Sequence, residues 1–183
     1  WTPNTYTITY NNVNNGDFGA NSTHPDTYTI ETANINITDP TRAGYTFTGW
    51  TVTTAPTVWG TGSSTSGNTD FVIATGTYGN IVLTANWTPN TYNISYTMDG
   101  GECDPAPAQT YTYGTGLTLC QPTKTGYDFT GWAGSNGLTS QTTVTISTTD
   151  SDDKSYTANW SLNTYTITYD LNDISDSVDP VYD

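Results

Sequence analysis

The sequence predicts a mostly β protein made of small modules in tandem, and three observations carry that reading. Threonine, tyrosine and asparagine are abundant while leucine and alanine are sparse. β-Branched and aromatic side chains suit a pleated, half-buried surface, and Gly, Asn and Pro supply its turns. The heptapeptide NTYTITY at residues 4–10 returns as NTYNISY at 90–96 and again as NTYTITY at 163–169. Behind it, two further blocks return in the same order: GYTFTGW (44–50) as GYDFTGW (126–132), and LTANW (83–87) as YTANW (156–160). Three blocks recurring in one order mark a repeat architecture.

The blocks divide the chain into a first module, residues 4–87, a second, residues 90–160, and the start of an incomplete third, residues 163–183. WTPN at 1–4 repeats WTPN at 87–90, so residues 1–3 read as the end of a preceding repeat and the chain as an excerpt from a longer array. Only Thr88-Pro89 and Ser161-Leu162 stand between consecutive units.

Each element of a module follows in turn. Tyr6, Ile8 and Tyr10 alternate with threonines, the period of a strand with one buried face. A second strand is expected over 28–37, with its counterpart over 110–119. In the third, Tyr45, Phe47 and Gly49 alternate with Thr46, Thr48 and Trp50, so aromatics fall on both faces. Phe71 and Ile73 match Val144 and Ile146 as a fourth strand, and 81–87 and 155–160 close the units. No helical apolar period runs for ten residues, and no apolar stretch is long enough to span a membrane. Units of this size bury a marginal core. The repeated tryptophans, each burying about 150–250 Å², are read as filling it.

Charge and side-chain chemistry exclude several functions. Three Lys+Arg stand against seventeen Asp+Glu, a formal net charge of −14. Such a chain has no cationic stripe for nucleic acid and no polybasic patch for a lipid surface. His24 is the single histidine. With no second His for a zinc cluster and no G-x-S-x-G elbow, the chain reads as no enzyme, with no cofactor and no metal. Asp150, Asp152 and Asp153 cluster in one loop, and Asp170, Asp173, Asp176 and Asp179 in the tail. Neither set has the spacing of a calcium loop, so both are read as solvated turns.

Cys103 and Cys120 both belong to the second module, one after its first strand and one at the end of its second. A hairpin brings such positions together, and a disulfide is the default for two cysteines in a β-rich chain of extracellular composition; a metal or redox pair is the rival. Thr38 occupies the place of Cys120 in the first module, so a bridge would belong to one module only. Residues 55–70 form a Gly/Ser/Thr-rich loop unmatched in the second module, and it holds Trp59. An aromatic outside the repeated set is a candidate binding contact, against the alternative that it packs on its own module.

Y-x-I-x-Y, then P-T-[RK]-x-G-Y-x-F-x-G-W at 40–50 and 122–132, then A-N-W, resemble the Listeria–Bacteroides repeat, the B-repeat of internalin-type bacterial surface proteins. The resemblance covers nearly the whole chain. It departs at the turn after the first strand: TMDGG at 97–101 has no Gly-Gly counterpart in residues 11–16 or 170–175. It implies β-grasp-like modules in an elongated array on an extracellular or cell-surface protein, with no catalytic residues. The function expected is a semi-rigid stalk, its short junctions stiffened by Pro3 and Pro89. Its partners would be neighbouring repeats of the same array or other subunits of a fibre. The alternative is an adhesive module taking a glycan or a host protein through Trp59. The third unit lacks the blocks that complete a core and buries too little to fold alone. Its Tyr165, Ile167 and Tyr169 are therefore read as an assembly strand completed by neighbouring chain.

Overall fold

The computed structural model describes residues 1–13, 18–19 and 22–169. Module one contains β1 (Thr5–Asn11), β2 (Thr27–Thr29), β3 (Ile35–Asn36), β4 (Tyr45–Thr54), β5 (Val72–Ile73) and β6 (Ile81–Pro89). Module two contains β7 (Thr91–Thr97), β8 (Thr110–Thr112), β9 (Leu117–Thr118), β10 (Tyr127–Gly134), β11 (Leu138–Gln141), β12 (Thr145–Ile146) and β13 (Lys154–Leu162). A 3₁₀ turn, Ser135–Gly137, is the one helical element among the described residues. The chain is mostly β and its modules stand in tandem.

Both main sheets have one plan. In module one the order is β2-β1-β6-β4, and in module two β8-β7-β13-β10 with β11 added outside β10. The first strand pairs antiparallel with the second (Tyr6↔Tyr28; Tyr92↔Tyr111) and parallel with the last (Ile8↔Ile81; Ile94↔Lys154). The last pairs antiparallel with the GYxFTGW strand (Trp50↔Ala85; Trp132↔Ala158). Counting the four strands that the two main sheets share, this is the 2-1-4-3 order of a β-grasp sheet. Small ladders, β3 with β5 and β9 with β12, complete the cores. They bring in Ile35, Ile37, Phe71 and Ile73, and in module two Leu119, Val144 and Ile146.

The GYxFTGW motif is explained by a bulge. An odd spacing should send Phe47 and Trp50 to opposite faces. An extra residue between Phe47 and Gly49 shifts the register by one, as between Phe129 and Gly131 in module two. Phe47 and Trp50 then meet edge to face at 5.3 Å, and Phe47 meets Trp87 at 5.4 Å. The same trio in module two, Phe129 with Trp132 and Trp160, packs at 5.5 Å in both contacts. Gly49 is required twice over: its φ is 121°, and a Cβ would stand 2.8 Å from the Gly67 carbonyl oxygen. Trp50 and Trp132 are fully buried over Ala85 and Ala158, which explains the small residue of TANW.

Two expected elements differ. The strand expected over 28–37 is broken into β2 and β3. Thr32 N–H donates to the Thr29 carbonyl at 3.0 Å, a turn that carries the chain from the main sheet to the small ladder. The strand over 110–119 breaks at the matching place, where Gly114 and Gly116 take φ of 88° and 69°. The third heptapeptide, unlike its two copies, belongs to no strand: Tyr165, Ile167 and Tyr169 are 80%, 76% and 77% exposed. Its sequence alternation matches β1, but nothing equivalent to β2 or β6 lies beside it among the described residues.

Candidate functional site

Sequence reasoning found the short junctions but missed the docking turn that holds the seam between the modules. β6 continues past its tryptophan to Pro89, paired with the start of β4 (Thr46↔Thr88, Tyr45↔Pro89). The next module begins while still bonded to the previous one. Asn90 N–H donates to the Gly44 carbonyl at 2.9 Å, and the Thr46 hydroxyl donates to Asn90 Oδ1 at 2.7 Å. The Asn90 carbonyl accepts the Tyr113 N–H at 2.9 Å. The Tyr113 ring lies against Gly44, where any Cβ would overlap it, and meets Tyr45 edge to face at 5.2 Å. The Arg42 guanidinium also stands 3.9 Å from the Tyr45 ring centroid, a cation–π contact. Gly44, with φ 75°, both makes the turn and leaves room for the ring. P-T-[RK]-x-G-Y is thus the sequence of a docking turn.

The far end of module two repeats half of this arrangement. Asn163 N–H donates to the Gly126 carbonyl at 2.9 Å, β13 pairs Leu162 with Tyr127, and Lys124 Nζ stands 4.2 Å from the Tyr127 centroid. No ring covers Gly126, around which a Cβ would find nothing within 4 Å. Asp128 stands in the place of Thr46, and Asn163 Oδ1 is buried without a hydrogen-bond partner.

The structure joins Cys103 to Cys120, with Cα atoms 6.2 Å apart. In module one Thr38, the counterpart of Cys120, exchanges two hydrogen bonds with Thr23: Thr38 N–H to the Thr23 carbonyl at 2.9 Å, and Thr23 N–H to Thr38 Oγ1 at 2.8 Å. Trp59 lies half-buried against the core of its own module, 6.2 Å from Phe71. The loop that carries it covers the outer edge of β4, with Gly67 N–H donating to the Trp50 carbonyl at 2.6 Å. His24 stacks on Phe18 at 4.2 Å beside an open groove of about 550 Å³ that Ser22, Thr32 and Asn34 also line.

The aspartates at 150–153 are not simply solvated turns. Lys154, in the place of the buried Ile81, is 3% exposed and donates to Asp152 at 2.6 Å and to Asn136 Oδ1 at 3.0 Å. Asp150 lies 3.4 Å away and accepts from Asn136 Nδ2 at 3.1 Å. Burial alone would lower the Lys154 pKa, but the Asp152 and Asp150 carboxylates outweigh it and hold it above the ordinary value. Burial pushes the Asp150 pKa up, and the Asn136 bond, Lys154 and the Ser147 N–H together bring it below the ordinary value. Asp153 accepts the Asn93 N–H at 2.7 Å, the bond that Asn80 makes to Thr7 in module one. The acidic tail positions Asp170, Asp173, Asp176 and Asp179 lie outside the described residues.

Fold and seam define a class: β-grasp-type modules whose end strands pass directly from one copy to the next. The Listeria-Bacteroides repeat domain matches twice, over residues 6–86 and 92–161, and the chain belongs to that family, a repeat domain of bacterial surface proteins. A relative in Evansella cellulosilytica, named "Putative membrane protein", is 33% identical over 138 residues, covering 74% of this chain and 18% of its own length. Internalin H of Listeria monocytogenes is 37% identical over 97 residues, covering 52% of this chain and 15% of its own length. The chain thus spans less than a fifth of either relative. No solved structure matches. No helix among the described residues is long and apolar enough to cross a membrane.

Proposed function

We propose that the modules form a semi-rigid stalk that holds another part of an extracellular surface protein away from the cell. The observation that carries this reading is the seam. Three hydrogen-bonded or ring contacts (Asn90 to Gly44, Thr46 to Asn90, Tyr113 to Tyr45) tie module two to the docking turn of module one, and the Tyr113 N–H bond to the Asn90 carbonyl holds the ring in place. A linker of two residues that are themselves in a ladder has few torsions left to vary. Small-angle scattering tests it. An elongated particle with one preferred inter-module angle is expected, and Tyr113→Ala should broaden the angular distribution. A compact particle, or a distribution that the substitution leaves unchanged, would sink the stalk reading.

A fibre is the second reading, supported by the exposed Tyr165, Ile167 and Tyr169. In it the third repeat is completed by neighbouring repeats or by another subunit. Deleting residues 163–183 should abolish end-to-end filaments; filaments that persist without them would remove this reading. The adhesive alternative, with a glycan or host protein held through Trp59, draws less support from a side chain that packs on Phe71.

A further inference from the structure

We propose that every module carries one plug and one socket, and that the open socket at the end of module two receives the plug of the repeat that starts at Asn163. This inference rests on the stalk reading and specifies its joint. The socket is the Gly-Tyr turn, Gly44-Tyr45 or Gly126-Tyr127, with its cation, Arg42 or Lys124, over the tyrosine. The plug is the residue that follows the short second strand. That residue is Tyr113 after β8 and, by the register of the two hairpins (Tyr92↔Tyr111, Tyr6↔Tyr28), Ile30 after β2.

At the inner seam plug and socket are engaged, and Gly44 is buried beneath the ring. Among the described residues, the counterpart plug and socket are not engaged in this way. Ile30 is 40% exposed and Tyr127 37% exposed, both large and apolar. Asn163 Oδ1 is buried and unpaired there because Asp128 replaces the Thr46 hydroxyl that donates to Asn90, so its lone pair says nothing about the plug. The occupant follows from the backbone, because Asn163 already makes to Gly126 the bond that Asn90 makes to Gly44. Plugs follow their opening asparagines by 113 − 90 = 23 residues in module two and 30 − 4 = 26 in module one. Counted from Asn163, the corresponding position falls after Asp183.

The two glycines test this. Their φ values, 75° and 80°, are nearly equal, so an alanine is equally strained at both, and the difference between them reads the plug alone. In the present chain Gly44→Ala should lower the melting temperature more than Gly126→Ala, because only Gly44 has a ring against it. The third repeat is then completed by following Tyr169 with residues 97–162. In that chain Gly126→Ala should become as damaging as Gly44→Ala, and maleimide labelling of Tyr127→Cys should slow severalfold. If Gly126→Ala and the labelling rate are the same with and without the third module, while Gly44→Ala remains the worse, the open socket is unused and the proposal is overturned with the stalk intact. If Gly44→Ala is no worse than Gly126→Ala in the present chain, the inner seam carries nothing and the stalk reading falls with it.

Discussion

Opening the Cys103–Cys120 bridge should destabilise module two and leave module one where it was. The bridge closes a loop with a sequence separation of 17. In the chain-entropy account such a loop is worth about 3 kcal/mol at 25 °C. A domain of this size loses about 4–8 °C of melting temperature per kcal/mol, so the expected shift is about 12–24 °C. Module one makes no use of a bridge, since Thr23 and Thr38 hold the equivalent place by hydrogen bonds. Calorimetry of the Cys103→Ala/Cys120→Ala chain should therefore show one component moved by that amount and one unmoved. Trp132 gives an independent signal: its Nε1 donates to the Cys120 carbonyl at 2.9 Å, so its emission should change in the component that moves. A shift below about 4 °C, less than 1 kcal/mol, or an equal shift of both components, would refute the reasoning.

The remaining expectations concern charge, the loop tryptophan and the bulge. Lys154 has a raised folded pKa, so its contribution is present below the ordinary 10.5 and is lost as pH rises through the folded value; the lowered Asp150 contributes above 3.8 and is lost as pH falls through its folded value. Module two should thus lose urea resistance at both extremes, and Asp150→Asn should remove the acid limb. Asp39 in module one behaves oppositely: burial first, then the charge of Asp70, outweigh the Asp70 N–H bond and raise its pKa, so module one should gain stability as acid neutralises it. Trp59→Ala should cost about 1–3 kcal/mol through lost packing on Phe71, without altering binding on a glycan panel. If binding is lost at an unchanged melting temperature, Trp59 is a contact and not a support. Gly131→Ala, at φ 136° with a Cβ 2.6 Å from the Gln141 nitrogen, should cost at least the roughly 1–3 kcal/mol of backbone strain, read as a lower midpoint for module two alone.

What could be read from the sequence was what repeats locally. The period-two alternation of Tyr6, Ile8 and Tyr10 is a property of one strand, and β1 and β7 formed where it occurs. The alternation within GYxFTGW placed aromatics on both faces, because a bulge is invisible to a strict period; the glycine before the tryptophan was its one visible trace. The buried Lys154 had a signal too. Aligned through TANW it falls on Ile81, a core position, and a charge in a core position needs partners. The short junctions were legible, but the contact of Tyr113 with Gly44 was not, since the two are far apart in the chain and meet only once two modules are in place. Likewise the break between β2 and β3 depends on a Thr29–Thr32 turn that no composition argument separates from continuous strand.

The parallel pairing of first and last strands fixes how a module answers a pull. β1 and β6 lie side by side and run the same way, so the chain enters a module at one end of that ladder and leaves at the other. Tension along the chain loads the ladder in shear. The bonds spanning Ile8↔Ile81 to Asn11↔Thr84 then share the force and fail together, where a hairpin pulled from its open end would unzip one bond at a time. Module two presents the same clamp between β7 and β13, from Ile94↔Lys154 to Thr97↔Thr157. Serial modules of this construction resist extension at each link separately, and the weakest clamp sets the force at which the first one yields.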